Sequence, residues 1–412
     1  HIRNCSFDKD FVSIRLIGSN ENTLEDLSIV QSNFGIQLIN SSINTIRNNT
    51  MSQSGRGIYI SDASDQNNVE FNIVFLCNYS GITVYASSSN LIKQNQIING
   101  YQGISLISSV NNRINMNNVT DCDDGIISRY THSGGVSTYN IFTNNVIIEC
   151  ENGLDINDDD SIIQNNTFTN NYRAMDIYGN NCLFKNNTLM NNVEGIRSYS
   201  SIGNIFIDNC IENSTHEAVR LWLTKDTIFS KNKISTSNDG LFFKKAKNCT
   251  LTENELINNT YNLIIEHDSY EDLYHEINDS NLINELPIKY LINETDTILE
   301  GPIGFVACIN CTNITIKNAV LSNNSHAILL YNTNESQITN LTMINNTQGM
   351  ELTFSNNNTL NNSIIEHNDE EGLFLHYSHG NLIYNNIINN LINVFDNGNN
   401  TYNITKTIGL NC

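Results

Sequence analysis

Apolar and polar residues alternate along this chain in short runs, and the runs return at a nearly constant interval. Up to Asn262, a signature of a small residue followed by an apolar, a variable and a second apolar residue recurs every 21 to 24 residues, with one interval of 28 after Gly125. The clearest examples are Gly35-Ile36, Gly57-Ile58, Gly81-Ile82, Gly103-Ile104, Gly125-Ile126 and Gly153-Leu154. A fixed interval of this kind is typical of repeat proteins, in which each interval is one supersecondary unit.

A second apolar run lies within each interval, and an Asn follows its central apolar residue by three positions, as in Ile46 to Asn49 and Ile92 to Asn95. Alternation with a period of two, bounded by turn-forming Asn and Gly, indicates β-strands. A strand-helix unit with its crossover needs roughly 30 residues, which is more than one interval supplies. The pattern therefore predicts an all-β chain, a right-handed parallel β-helix (β-solenoid) with coils of about 22 residues.

Two stacks should run along such a solenoid. The signature residues Ile36, Ile58, Ile82, Ile104 and Ile126 should form one buried apolar stack. The Asn residues should form a ladder, in which each amide donates to the next amide and to the backbone at a bend. The predicted ladder consists of Asn49, Asn72, Asn95, Asn117, Asn144, Asn166, Asn187, Asn209, Asn232 and Asn254.

The repeat is interrupted once. We expect β-helix coils over residues 1–265, irregular or atypical coils of the same solenoid over 266–303, further coils over 304–396 and a C-terminal tail over 397–412.

The composition limits the partners and the location. A formal net charge of −22 argues against nucleic-acid binding, because a polyanion is repelled, and leaves cations and glycans as partners. No run approaches the roughly 20 apolar residues of a membrane span, so we expect no transmembrane segment.

The first residue falls inside a repeat, and we expect that a leader was removed. Many Asn-x-Ser/Thr sequons and 10 Cys indicate a secreted, extracellular or cell-envelope protein. The glycosylation candidates are Asn48, Asn186, Asn313 and Asn403.

Cysteine positions suggest how the coils are cross-linked. Cys122 and Cys150 each lie three residues before a signature Gly, on adjacent coils. Their expected Cα separation of about 5 Å is within disulfide range, so we predict a disulfide between them. Cys5 and Cys412, at the two chain ends, are candidates for disulfides between subunits.

Several runs resemble a known repeat family. They are GIQLINSSINTIRNNTMSQSGRGIYI (35–60), NCTNITIKNAVLSNNSHAILLYNTNESQITNLTMINNT (310–347), PIKYLINETDTILEGPIGFVACINCTNITIKN (287–318) and the ending NTYNITKTIGLN (400–411). These runs resemble the parallel β-helix repeats of the NosD-like and carbohydrate-binding and sugar-hydrolase class, abundant in surface proteins of methanogenic archaea. The resemblance implies the fold strongly and the function weakly, since such relatives include envelope proteins, copper-enzyme maturation factors and polysaccharide-cleaving enzymes.

The best candidate for chemistry is an outward-facing column between the two apolar residues of the signature. Four consecutive charged positions in it are Asp155, Asp176, Arg197 and Arg220. Two adjacent carboxylates would raise one pKa or bind Ca²⁺, and a neighbouring Arg could neutralise an acidic sugar, as the resemblance to polysaccharide lyases implies. Two positions further along, Tyr178, Tyr199 and Trp222 offer apolar faces for sugar rings. We favour the alternative, a surface salt-bridge ladder beside an aromatic stripe.

Three weaker patterns remain. The acidic runs Asp123-Asp124 and Asp158-Asp159-Asp160 should be solvated turns, with Ca²⁺ as the one cofactor candidate. The run His376-Tyr377-Ser378-His379, with His367 nearby, suggests copper through the NosD-like resemblance, but its spacing is not diagnostic and we predict no metal site. Alternation would place Cys308 and Cys311 on opposite faces if their strand continues.

Together these features favour a structural protein over an enzyme. We expect self-assembly into an envelope layer, sheath or filament, with glycosylation and disulfides. The alternatives are a glycan-binding module at Tyr178, Tyr199 and Trp222, and a lyase or hydrolase acting on acidic polysaccharide. The lack of a sharper catalytic cluster decides this order.

Overall fold

The computed structural model describes residues 1–130 and 137–403, and it is the predicted all-β parallel β-helix. The chain divides into two compact units, His1–Val219 and Arg220–Cys412. In each unit, short strands from successive coils pair in parallel, so that every coil adds one layer.

The first unit contains three columns of strands. The first column is Ile2–Arg3, Thr23–Glu25, Thr45–Arg47, Asn68–Glu70, Leu91–Lys93, Arg113–Asn115, Ile141–Thr143, Ile162–Gln164, Leu183–Lys185 and Ile205–Ile207. The second is Ser6–Asp8, Ser28–Val30, Thr50–Ser52, Val146–Ile148, Thr167–Thr169, Thr188–Met190 and Cys210–Glu212. The third is Val12–Ile17, Phe34–Ile39, Arg56–Ser61, Asn152–Ile156, Arg173–Ile177 and Glu194–Tyr199. Three strands, Ile73–Tyr85, Gln96–Ile107 and Asn118–Arg129, run through both the second and third columns, and Glu217–Trp222 spans the division between the units.

The apolar stack predicted from the signature is confirmed. Its five Ile residues are paired in register from coil to coil, and each is at most 1% exposed. The signature Gly has a steric role, because a Cβ at Gly103 would lie 2.4 Å from the carbonyl oxygen of Gly125 and 2.4 Å from Val119. Burying one such Ile side chain contributes about 2 kcal/mol, so the stack supplies much of the stability of each coil.

The Asn ladder is present in the first unit, with one correction. Asn117 donates to Asn145 at 3.0 Å, and Asn145 donates to Asn166 at 2.9 Å. Asn144, which we had assigned to the ladder, is exposed and has a φ of 56°. The reason is register: Phe142 takes the inward position opposite Ile114, and the ladder residue comes three positions later, as in the other coils. A second ladder, which the sequence analysis missed, joins Asn44, Asn67, Asn90, Asn112 and Asn140.

The second unit begins with regular coils and then departs from them. Its early strands are Ile228–Ser230, Thr250–Thr252, Glu276–Ile277, Lys233–Ser235, Glu255–Ile257, Leu282–Ile283, Asp239–Lys244 and Tyr261–Glu266. Within the interruption predicted over 266–303, a 3-10 turn forms at Tyr270–Leu273 and one strand pair is antiparallel. The chain then returns beside the strand that preceded the interruption. The backbone N–H of Asn262 donates to the carbonyl oxygen of Asn323 at 2.7 Å, which shows this pairing.

Parallel stacking resumes after the return. One column is Leu286–Ile292, Phe305–Ile309, His326–Tyr331, Gln348–Thr353, Glu371–His376 and Ile392–Asp396. A second is Ile298–Glu300, Thr315–Lys317, Gln337–Thr339, Thr359–Asn361, His379–Tyr384 and Asn399–Asn403, and a third is Val320–Ser322, Thr342–Ile344, Ile364–Glu366 and Ile387–Asn389. Residues 399–403, which we had placed in a tail, are therefore a paired strand.

Candidate ligand-binding groove

The charged column of the first unit forms an internal ion-pair network. Asp155, Asp176 and Arg197 are in register on neighbouring strands. Asp176 is only 5% exposed; it accepts from Arg197 Nε at 2.8 Å and from Arg173 Nη1 at 3.4 Å. Asp155 accepts from Arg129 at 2.9 Å, and burial raises its pKa to about 6 against the attraction of Arg129. These carboxylates already have cationic partners, which matches a salt-bridge ladder.

The residues of the predicted aromatic stripe belong to two different units: Tyr178 and Tyr199 lie in the first, and Trp222 lies in the second. In the first unit, Tyr178 and Tyr199 meet edge to face with ring centroids 6.0 Å apart, and the Tyr178 hydroxyl receives a bond from Arg197 at 3.0 Å. In the second unit, the Arg220 guanidinium lies 5.3 Å from the Phe242 ring and the Lys244 ammonium lies 5.4 Å from the Trp222 ring.

The acidic runs differ from the solvated turns we expected. Asp158 is fully buried and accepts from Ser128 at 2.6 Å and Asn140 at 2.8 Å, while burial raises its pKa to about 6. It faces inward because it occupies the position at the bend where the preceding coils carry the hydroxyls of Ser109 and Ser137. Asp123 and Asp124 lie in the strand Asn118–Arg129 and not in a turn. Neither run forms a cation cage among the described residues.

Cys122 and Cys150 are free thiols, so the predicted disulfide is not formed in this structure. The two thiols lie in side-chain hydrogen-bond contact, and the bond from Cys150 lowers the pKa of Cys122. This contact is the adjacency on which the prediction rested, so oxidation to a disulfide stays a prediction. Cys5 is an exposed thiol, and Cys412 lies outside the described residues.

Alternation along a continuous strand predicted that Cys308 and Cys311 lie on opposite faces, but they do not. The strand Phe305–Ile309 ends before Cys311, and Asn310 turns the chain with a φ of 56°, so both thiols are buried and in contact. The four glycosylation candidates Asn48, Asn186, Asn313 and Asn403 are all exposed.

A groove of about 680 Å³ in the second unit was not predicted. Its floor is formed by the in-register strands His326–Tyr331, Gln348–Thr353 and Glu371–His376, and one wall is the segment 264–268 that leads into the interruption. Aromatic, acidic and imidazole side chains line it, including Tyr331, Phe354, Phe374, Glu266, Asp268, Glu370, His267, His326 and His376.

Glu351 lies at the centre of this groove on an outward-facing position, yet its side chain is only 7% exposed. It contacts two imidazoles, His267 Nε2 at 3.2 Å and His326 Nε2 at 3.0 Å, and it accepts from Thr353 Oγ1 at 2.7 Å. Burial alone would raise the pKa of the Glu351 carboxyl, but the hydrogen bonds and charge of the two imidazoles outweigh burial and hold that pKa well below its ordinary value. The carboxylate is therefore ionised and orients both rings.

An aromatic surface extends along the groove. The Tyr331 ring contacts His267, at 5.5 Å between centroids, and Phe354 at 5.6 Å. Phe354 in turn stacks on Tyr377 with an interplanar angle of 6°. Phe354 is 42% and Tyr377 is 54% exposed, so part of the apolar surface of each ring is available to a ligand.

Part of this site could have been found from the sequence. The signature pairs Ala327-Ile328, Gly349-Met350 and Gly372-Leu373 follow the interruption, and the variable positions after them are Leu329, Glu351 and Phe374. Continuing the outward column through these coils would have singled out Glu351. No signal pointed to His267, which is 84 residues from Glu351 and reaches it only because the chain returns after the interruption.

One further cluster lies in the first unit. Glu194, His216 and Glu217 bring their ligand atoms within 4.8 Å of one another, and they are the only such group of three among residues 1–130 and 137–403. Arg173 Nε already donates to Glu194 at 2.7 Å. The His residues at 367, 376 and 379 do not form a cluster of this kind. Within the described residues, no helix is long and apolar enough to cross a bilayer.

Solved structures that are similar to this chain share little sequence identity with it. DFA-IIIase from Arthrobacter chlorophenolicus is 11% identical with a TM-score of 0.30, over 45% of this chain and 44% of that enzyme, so the chain spans less than half of its length. The PL6 family alginate lyase AlyGC is 12% identical with a TM-score of 0.44, over 95% of this chain and 77% of that chain. The Dettilon tailspike protein is 12% identical with a TM-score of 0.38, over 67% and 60%.

Family models describe the chain more directly. No curated protein sequence matches it. The model for the right handed beta helix region matches residues 132–278. The model described as periplasmic copper-binding protein (NosD) matches residues 1–135 and 293–412, which together are more than half of the chain. The chain therefore belongs to the NosD family of parallel β-helix repeat proteins.

Proposed function

We propose that this protein is an exported β-helix that binds a glycan in the groove of its second unit. The observation that carries the proposal is the ionised Glu351, held between His267 and His326 at the floor of an open, aromatic-walled groove. Binding sites combine apolar faces with a few fixed polar groups, and a charge buried in a cleft is a marker of such sites.

A sugar ring suits this surface better than a wholly apolar ligand does. Its C–H face can pack against the exposed part of the stacked pair Phe354 and Tyr377. Its hydroxyls can exchange hydrogen bonds with the imidazoles and with Gln348 and Thr347 along the same groove. The first unit's charged column supports the proposal less, because Asp176 is already paired with Arg197.

Titration calorimetry against a panel of oligosaccharides tests the proposal. Phe354→Ala should weaken binding by about tenfold, since losing an aromatic stacking partner costs about 1 kcal/mol or more. Glu351→Gln should also weaken binding, because the side chain loses its negative charge and one of its two acceptor oxygens, so that it can no longer hold both imidazoles in place. Tyr199→Ala, on the first unit, is the matched control and should bind like the wild type.

The same incubations report on turnover. We propose binding without cleavage, so product chromatography should show no new reducing or unsaturated ends. If the wild type releases shortened oligosaccharides and Glu351→Gln does not, the protein is an enzyme and not a binding module. Failure of every oligosaccharide to bind, with the variants folded, would contradict the proposal.

Self-assembly into an envelope layer, sheath or filament is a second proposal. Large apolar residues are exposed on the first and last described coils: Phe11 is 73% exposed and Leu391 is 86% exposed. A second copy packed against these side chains would cover apolar surface, and this supports the proposal of self-assembly.

The family description names copper, and the one cluster of three candidate ligands among the described residues does not fit that metal well. The one candidate cluster offers a single imidazole with two carboxylates, and Arg173 already binds one of these carboxylates. Copper(II) sites favour several imidazole nitrogens and copper(I) favours thiolates or thioethers, none of which this cluster supplies. This cluster therefore carries no copper proposal.

A further inference from the structure

The charge of the groove deepens the proposed function, on which this inference rests, by indicating the class of glycan. Four carboxylates line the groove, those of Glu266, Asp268, Glu351 and Glu370, together with three imidazoles. Among the described residues that line it, none is Lys or Arg. Any ligand therefore meets acceptors and negative charge without a permanent cation in contact with it.

Two lysines pair with carboxylates of the groove wall, but they leave the excess of negative charge in the groove largely unchanged. Lys244 Nζ lies 3.1 Å from Glu266, and Lys245 pairs with Asp268. Glu266 and Asp268 have side chains 51% and 68% exposed, so these pairs are screened by solvent and their carboxylates still face the ligand. Glu370 is exposed, and Asp369 beside it accepts from the Tyr261 hydroxyl, which adds negative charge at the same rim.

This arrangement penalises an anionic glycan. A uronate or sulfate group would lie beside carboxylates with no guanidinium or ammonium to neutralise it, and the imidazoles of His267 and His326 are already paired with Glu351. Like charges brought together at an interface are unfavourable. A protonated amino group meets the opposite situation, because it can pair with Glu370 or Glu266 and lie against the electron-rich face of Tyr331 or Phe354.

We infer that the groove selects glycans that carry protonated amino sugars, binding them more tightly than neutral glycans and rejecting polyuronates. The acidic polysaccharide considered from the sequence is thus the disfavoured class. The selection arises from the rim carboxylates, whereas the aromatic faces serve any hexose ring.

Four oligosaccharides of equal length test this inference by titration calorimetry: oligomers of glucosamine, N-acetylglucosamine, glucose and a hexuronate, at a pH where the amine is charged. We expect the glucosamine oligomer to bind about tenfold tighter than the glucose oligomer, with the preference falling as salt rises. The hexuronate should bind weakest.

Variants separate the two levels of the proposal. Glu370→Gln should lower the ratio of glucosamine-oligomer affinity to glucose-oligomer affinity about threefold, as expected for the loss of one exposed ion pair. Glu335→Gln, which removes an exposed carboxylate elsewhere in the unit, should change neither. Equal or tighter binding of the hexuronate, abolished by Phe354→Ala, would overturn the charge selection and leave glycan binding in place. Binding of no oligomer at all would overturn both.

Discussion

At the scale of single residues, the most unusual group in the first unit is the buried carboxyl of Asp158. Its Oδ2 accepts three hydrogen bonds, from Ser128, Asn140 and Ser161, while Oδ1 has no partner among the described residues. Burial raises its pKa to about 6 even though the hydrogen bonds favour the charged form. A neutral amide of the same shape should therefore suit this site better at pH 7.

We predict that Asp158→Asn stabilises the protein at pH 7 by about 2 kcal/mol. Because the pKa is higher in the folded than in the unfolded state, the wild type loses stability from this group as the pH rises from about 4 to about 6. The variant should lack this contribution, so the two proteins should converge near pH 4. Urea denaturation across that range measures the difference. Asp160→Asn, in the same bend, is the control; an identical effect there would refute the assignment.

At the scale of the strand and its neighbours, the Asn ladder makes a prediction about two adjacent residues. Asn145 donates to Asn166 and to the Ile114 carbonyl, both at 2.9 Å, and accepts from Asn117. Asn144 is exposed beside it. Asn145→Asp removes a donor and buries a charge, so we expect a loss of about 3 kcal/mol, whereas Asn144→Asp should cost less than about 0.5 kcal/mol. Thermal unfolding of the two variants measures both losses, and a larger loss for Asn144→Asp than for Asn145→Asp would place Asn144 in the ladder instead.

The apolar stack makes a second prediction at this scale. Ile104 is completely buried between Ile82 and Ile126. Ile104→Asp would bury an unpaired charge and should cost at least about 3 kcal/mol. Ile107 lies on the same strand but is partly exposed, so Ile107→Asp should cost about 1 kcal/mol or less. An unchanged melting temperature for Ile104→Asp would contradict the coil register.

At the scale of the whole molecule, the proposed assembly and the cysteine contacts make one joint prediction. Peptide mapping of oxidised protein without reductant should recover a cross-link between Cys122 and Cys150 within one chain, since the thiols are already in contact. Electrophoresis without reductant should also show species larger than the monomer, linked through exposed thiols such as Cys5. A Cys5→Ser variant controls for that linkage. Monomers under all conditions, together with a single monomeric species in solution, would contradict assembly.

The regular part of the fold follows from the sequence because its determinants are local and repeated. Three determinants recur in coil after coil. They are a small residue where a larger side chain would clash, as at Gly103, a buried apolar residue at every second strand position, as at Ile104, and an amide at the bend, as at Asn95. Each repeat therefore reports the same structure independently. The ladder position was assigned to Asn144 instead of Asn145 in the coil where the interval lengthens to 28 residues. Two Asn are adjacent there, so the repeat pattern alone could not distinguish them.

The groove was decided by tertiary structure. The interruption over 266–303 lets His267 approach Glu351 across 84 residues, and no repeat constrains such an encounter. The inward turn of Asp158 and the contact between Cys308 and Cys311 likewise depend on where a single strand ends. The sequence by itself determined the coil, its stacks and its negative charge, because periodic neighbours stack wherever the period holds. Only the folded chain decided which outward residues meet, since that depends on one irregular segment and its return.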